Sequence, residues 1–259
     1  MQNVVLITGA STGIGFDLAH EFAKKGFNLL LVSRSKDKLL DLRKNLEFQY
    51  KVQADLFPVD LSKPSAPQQV YNYCQKQKHE IAILVNNAGF GTNGEFASLD
   101  LDRELEMIDL NVKTLVSLSH LFAADMKSRK NGKILNVAST AAFQPGPFMA
   151  NYYASKAYVQ SFSEGIREEL LPSGITVTSL CPGPTRTPFF AVAGVEKNPL
   201  LNGPLAMDSR TVAKKAVMAT LRGKAIVITG FTNWLMMESV RITPRILVRK
   251  IAGFLNSKK

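Results

Sequence analysis

Cysteine is nearly missing from this chain. Its 259 residues include two, Cys74 and Cys181, far apart and without metal-ligand spacing. A disulfide scaffold is excluded, no metal site is expected, and a reducing, intracellular setting is favoured. Long apolar runs are missing too: none approaches the roughly 20 residues of a membrane span. The first short run, Val4 to Ile7, leads into a glycine turn and not into a signal-peptide pattern. A cytoplasmic protein is expected. Acidic residues are outnumbered, 21 against 32 Lys and Arg, which leaves a net charge of +11. Such an excess attracts anions, whether cofactors or lipid surfaces. No helix-turn-helix, zinc pattern or aromatic RNA-binding strand accompanies it, so nucleic acid is not an expected partner.

What is present is an alternation of short apolar runs with segments of helical spacing. The runs fall at Val4–Thr8, 28–33, 54–60, 81–85, 134–138, 175–181 and 225–229. Helical segments begin at Phe16 and recur over 36–48, 64–78, 100–127, 152–171 and 209–221. This alternation predicts an α/β fold: one doubly wound parallel sheet of about seven strands, Rossmann-like, with helices on both faces. Its ligand crevice lies beyond the carboxyl ends of the strands. Residues 1–230 would form the domain and 231–259 a C-terminal extension.

The first run meets Gly9-Ala-Ser11-Thr12-Gly13-Ile14-Gly15 and then a helix. Strand, glycine turn and helix bring free backbone N–H groups and a positive helix end to one point, which suits a pyrophosphate. The spacing is G-x-x-x-G-x-G, so the strand–helix context carries more weight than the glycines alone. The second strand ends in Ser33-Arg34 with no carboxylate. An acidic residue there would take a ribose hydroxyl and an Arg a 2′-phosphate, so NADP(H) is favoured over NAD(H). The fourth strand runs into Asn86-Asn87-Ala88-Gly89. Asn111 sits in a predicted helix interior, where Asn is a poor fit and invites a reason.

Ser139 ends the fifth strand, and Tyr152 and Lys156 follow on one helix face, about 6 Å apart at Cβ. Bringing a phenol from its usual value near 10 to near 7 takes roughly 4 kcal/mol. A cation about 4 Å away at an effective dielectric near 20 supplies energy of that order. Tyr and Lys four apart also occur on ordinary helices; what raises this pair above them is convergence. The glycine turn, Arg34, Asn86–Gly89, Ser139 and Pro182–Thr187 all fall at predicted carboxyl ends of strands. Beyond them, 188–207 is apolar and irregular, with Phe189, Phe190, Val192, Val195, Leu200, Leu201, Leu205 and Met207. It reads as a substrate lid, with a subunit contact as the other possibility.

The joint pattern resembles a classical short-chain dehydrogenase/reductase over roughly residues 3–230. Thr8-Gly9-x-x-x-Gly13-Ile14-Gly15, Asn86-Asn87-Ala88-Gly89, Asn111, Ser139, Tyr152-x-x-x-Lys156 and Pro182-Gly183 followed by Thr187 carry the resemblance. It implies hydride transfer between NADP(H) and a carbonyl or secondary alcohol, with an apolar, lipid-like substrate. Tyr152 would donate the proton, Ser139 would bind the substrate oxygen, and Lys156 would hold the ribose and lower the Tyr152 pKa. Asn111 would hold a water linking Lys156 to solvent. Asp60 and Leu61 would lie beside the adenine, and Asn87, Ala88, Gly89, Pro182, Gly183, Thr185 and Thr187 along the rest of the cofactor. Tyr153, without a Lys four residues on, reads as packing. Pairing of the 100–127 and 152–171 helices in a homodimer or homotetramer is a further implication. A fold that kept the nucleotide and lost the chemistry is the rival expectation.

From 234 onward six Lys and Arg stand against one Glu. Val240, Leu247, Ile251 and Phe254 form one line, Arg241, Arg245 and Arg249 another, with an interruption expected at Pro244. This basic amphipathic segment is expected to pack on the body or on a sister subunit. Peripheral membrane contact is the second reading, and a flap over the substrate entrance the third.

Overall fold

Thr8 ends the first strand by bonding sideways. In the computed structural model, which describes residues 1–195, 203 and 205–257, its hydroxyl donates to the Val85 carbonyl (3.2 Å) and accepts the amides of Asn87 and Ala88 (2.9 and 3.0 Å). Two strand ends are thereby tied together at the centre of the sheet. The strands are β1 (Val4–Thr8), β2 (Asn28–Ser33), β3 (Ala54–Pro58), β4 (Ile81–Asn86), β5 (Gly132–Val137) and β6 (Ile175–Cys181). A short pair follows, β7 (Thr185–Arg186) and β8 (Met207–Asp208), and then β9 (Ile226–Ile228). Seven of them form one parallel sheet in the order β3-β2-β1-β4-β5-β6-β9. The chain order reverses between β1 and β4, and that switch point opens the crevice.

Both faces of the sheet are covered, as continuous apolar strands require. Val5, Ile7, Leu29 and Leu31 face one way, against α1 (Gly13–Ala23), α2 (Lys36–Tyr50) and, later in the chain, α8 (Ser209–Leu221). Val4, Leu6, Leu30 and Val32 face the other way, with Val70 of α3 (Ala66–Lys76) and with Leu118 and Phe122. The one-residue alternation of the pleat thus sorts a single apolar run into two cores.

The segment expected as one helix over 100–127 is three pieces. They are α4 (Leu101–Ile108), a π-helical turn (Asp109–Thr114) and α5 (Leu115–Arg129). The wider turn shifts the buried face. Glu104, Met107, Asn111 and Leu118 are buried, while Leu105 is 49% exposed. The third strand stops at Pro58 and does not reach Asp60, although the Val59 amide still donates to the Ser33 carbonyl of β2 at 3.0 Å. α6 (Ala150–Leu170) carries the Tyr–Lys pair. Among its described residues the 188–207 stretch contains one short helix, α7 (Phe189–Val192), and the start of β8; Leu200 and Leu201 lie outside the described residues.

The C-terminal segment folds as a hairpin of α9 (Phe231–Ile242) and α10 (Arg245–Asn256), broken at Thr243-Pro244. Val248, Ala252 and Asn256, four apart, are buried, so one line of α10 packs on the body. Among the described residues no helix is long and apolar enough to cross a membrane.

Candidate active site

A cavity of about 630 Å³ runs along the carboxyl edge of the sheet. One end is lined by the glycine turn, Ser33, Arg34 and Asp60, and the other by Phe189, Phe190, Val195, Leu205 and the inner side of the α9–α10 hairpin. Ser139, Tyr152 and Lys156 line it between these ends.

The first end is shaped by backbone. Gly9 and Gly13 have φ of +66° and +58°, a region that disfavours side chains. A Cβ on Gly13 would also stand 3.2 Å from Thr187, which brings the β7 loop down onto the turn. Asn87 closes the back, its Nδ2 donating to the carbonyls of Thr8 (2.9 Å) and Gly9 (3.2 Å). Thr185 Oγ1 donates to the Gly183 carbonyl at 2.9 Å and fixes the β6–β7 loop. Ser11, Thr12, Ile14, Leu61, Ala88, Gly89 and Pro182 line the same cavity.

At the end of β2 the Ser33 hydroxyl is buried with no hydrogen-bond partner, and Arg34 beside it is exposed at the rim. Lys38, one turn into α2, lines the same end. It was missed by reading the strand end alone, though its spacing four residues after Arg34 was there to be seen. An unsatisfied hydroxyl flanked by two cations fits an oxygen-rich anionic group. Burial pushes the Asp60 carboxyl up, but hydrogen bonds from the Ser62 amide and hydroxyl (3.1 and 2.8 Å) and nearby Arg34 prevail and hold it below the usual range.

The centre is desolvated. Burial holds the Tyr152 phenol above its ordinary range, opposed by a hydrogen bond with Ser139. Burial also pushes Lys156 down to about 8. Its ammonium donates to the Val137 carbonyl at 2.8 Å and lies 5.8 Å from the centre of the Tyr152 ring. The expected acidification of Tyr152 by Lys156 is therefore not what the structure shows. Taking the whole group out of water disfavours both the phenolate and the ammonium. A phenol that keeps its proton is a donor, which suits reduction.

Asn111 explains the π turn, a feature frequent at functional sites. Its Oδ1 accepts the Phe90 amide (3.1 Å), and Nδ2 donates to the Phe90 carbonyl (3.0 Å) and to Ser155 Oγ (3.1 Å). Both donors are spent on positioning the β4 loop against α6, so the implied water would be left Oδ1 or backbone. A Cβ on Gly89 would meet Asn111 Oδ1 at 2.8 Å and Lys156 Nζ at 3.6 Å, which shows how closely the three converge.

The apolar end has a feature the sequence did not announce. Asn256, the last residue of α10, is buried, and its Nδ2 donates to the Pro147 carbonyl (3.1 Å) and to Tyr153 OH (3.3 Å). Its own carbonyl accepts from Asn93 Nδ2 at 2.8 Å. Tyr153 is thus more than packing: it joins the hairpin to the residue beside Tyr152, with ring centres 6.1 Å apart. Phe189 of α7 covers Tyr152 from another side at 5.1 Å.

Residues 3–197 match the sequence model of the short chain dehydrogenase family. Over 179 residues the chain is 38% identical to hydroxysteroid dehydrogenase-like protein 1 of Gallus gallus, covering 68% of this chain and 54% of that protein. A human relative described as inactive hydroxysteroid dehydrogenase-like protein 1 is 33% identical with the same coverage. The chain so spans about half the length of these two relatives. It is 32% identical to the very-long-chain 3-oxoacyl-CoA reductase of Rattus norvegicus over 257 residues, 96% of this chain and 78% of that one. A solved short-chain dehydrogenase from Sphingobium yanoikuyae, in complex with NADPH, superposes with a TM-score of 0.82 at 31% identity, covering 92% and 93% of the two chains.

Proposed function

The chain belongs to the short-chain dehydrogenase family, and from that premise we propose that it reduces an apolar carbonyl compound with NADPH, or runs the reverse alcohol oxidation. The observation that carries this is the position of Tyr152. A half-buried phenol that keeps its proton, hydrogen-bonded with Ser139, stands where a polar cavity end meets an apolar one. NADPH, when bound, supplies the hydride.

The chain's own residues divide the remaining work. Gly9, Gly13 and Gly15 with the start of α1 would hold the pyrophosphate through backbone N–H groups. Ser33, Arg34 and Lys38 would hold the 2′-phosphate, and Asp60 with Leu61 would border the adenine. Asn87 to Gly89, Pro182, Gly183, Thr185 and Thr187 would line the nicotinamide half. Ser139 would donate a hydrogen bond to the substrate oxygen, stabilising charge as it develops there. Tyr152 would give that oxygen its proton. Lys156 would bind the ribose, and the anionic cofactor beside it would favour its charged form. Asn111 would keep the β4 loop and α6 in register. Phe189, Phe190 and the hairpin would exclude water.

Tyr152→Phe is expected to lower kcat about 10²–10⁴-fold while NADPH binding is unchanged. Turnover near the starting rate would refute the role. The second reading, a nucleotide-binding sensor without chemistry, takes its support from the relative described as inactive. The complete Ser139–Tyr152–Lys156 set stands against it. Following absorbance at 340 nm with ketones, aldehydes and ketoacyl thioesters separates the two: NADPH binding without turnover would favour the sensor. The exposed Leu101 and Leu105 of α4 and Tyr158 of α6 support the pairing of these helices in a homodimer or homotetramer.

A further inference from the structure

The α9–α10 hairpin has two sides of different character. Its inner side walls the apolar end of the cavity with Met236, Val240, Val248, Ala252 and Asn256. Its outer side leaves large apolar groups in solvent: Trp234 is 44% exposed, Ile242 86%, Ile246 49% and Leu247 50%, while Ile251 borders the cavity mouth. On α10 the buried line Val248–Ala252–Asn256 is flanked on one side by Leu247–Ile251 and on the other by Arg245–Arg249. Packing on the body thus uses only one edge of an apolar face that is wider than the contact.

Charge chooses the occupant of the rest. Arg241, Arg245, Arg249 and Lys250 are exposed, and the one acidic residue of the hairpin, Glu238, is already paired with Arg241 at 3.0 Å. A second copy of the chain meeting this face across a two-fold axis would set these cations against themselves, at a repulsive cost. An anionic bilayer suits them: apolar side chains enter the headgroup boundary, and the cations rest on acidic headgroups. A crevice of about 290 Å³ at the helix elbow adds a place for a headgroup. Arg241 and Arg245 line it with Phe143 and Pro145, and it shares Val240, Thr243 and Val248 with the main cavity.

We propose that the outer face of the α9–α10 hairpin docks on an anionic lipid bilayer and so brings the apolar mouth of the cavity to the membrane surface. The role of that mouth as a substrate entrance rests on the reductase reading; the docking itself does not. Trp234 is the only tryptophan of the chain, so its fluorescence reports on this face alone. With vesicles of phosphatidylcholine and phosphatidylserine, its emission should shift to shorter wavelength and the full-length protein should sediment with them. With phosphatidylcholine alone, or at high salt, both effects should largely disappear. Arg245→Glu/Arg249→Glu should lower partitioning at least tenfold with the melting temperature retained. Should that variant misfold, the salt and lipid arms still decide.

No response to anionic vesicles, or equal binding to neutral ones, overturns the proposal. So does self-association in buffer that shifts Trp234, which would make the face a contact between copies. A Trp234 response to inorganic phosphate without vesicle binding would reduce it to a small-anion site. None of these readouts involves turnover, so failure of docking is distinct from failure of the reductase reading.

Discussion

The two ends of the cavity are built by opposite means. The nucleotide end is made of backbone: a glycine turn with left-handed φ, a helix start, and strand ends tied by Thr8 and Asn87. Each part lies within a few residues of its own strand. The apolar end is made of side chains from segments far apart, with Asn93, Pro147, Tyr153 and Asn256 meeting through hydrogen bonds that span up to 163 residues. Backbone cradles recognise what every dinucleotide shares. Walls assembled from distant side chains can differ from one relative to the next without disturbing the turn.

Changing one end at a time sharpens that contrast. At the nucleotide end, Arg34→Ala should weaken NADPH by about 10–100-fold, the range of a charge-assisted hydrogen bond. NADH binding, measured by the same titration, should move little. Equal losses for both would remove the 2′-phosphate assignment.

Between the ends, Lys156 gives a pH signature. It loses its proton near 8 in the folded chain and near 10.5 in the unfolded one. Between those values the unfolded chain holds more protons, so stability rises with pH across the window. From pH 7.5 to 9.5 this one group should add about 2 kcal/mol relative to Lys156→Met. Denaturant melts of both proteins, purified without nucleotide, would show the difference, and parallel curves would mean that Lys156 is not desolvated.

At the apolar end the effect should be smaller and of another kind. Asn256→Ala removes two donated hydrogen bonds while α10 keeps its apolar contacts. KM for a bulky ketone should rise about fivefold, the scale of one net hydrogen bond, with NADPH affinity unchanged. A matching loss of NADPH affinity would show that the two ends are not independent.

Much of the nucleotide end was legible because its signals are local. Thr8 to Gly15 follow an apolar run, Ser33-Arg34 closes another, and Tyr152 and Lys156 share a helix face at a spacing set by helix geometry. The sheet was legible for the same reason, since seven apolar runs alternate with helical segments. The missed features depended on register or distance. The π turn at Asp109–Thr114 divides the single helix expected over 100–127, and one wider turn rotates every residue on one side of it relative to the other. Lys38 was overlooked beside Arg34. The pairing of Asn256 with Tyr153 leaves no trace in composition or period.

By itself, then, the order of residues determined the sheet, the cradle and the placing of Tyr152 one helical turn before Lys156, because each arises from neighbours in the chain and the fixed geometry of strand, turn and helix. Only the tertiary structure decided the surroundings of that phenol and the shape of what it faces. How deeply Tyr152 and Lys156 are removed from water depends on segments that arrive from elsewhere in the chain. Desolvation by those segments raises the Tyr152 phenol above its ordinary range and pushes the Lys156 ammonium down.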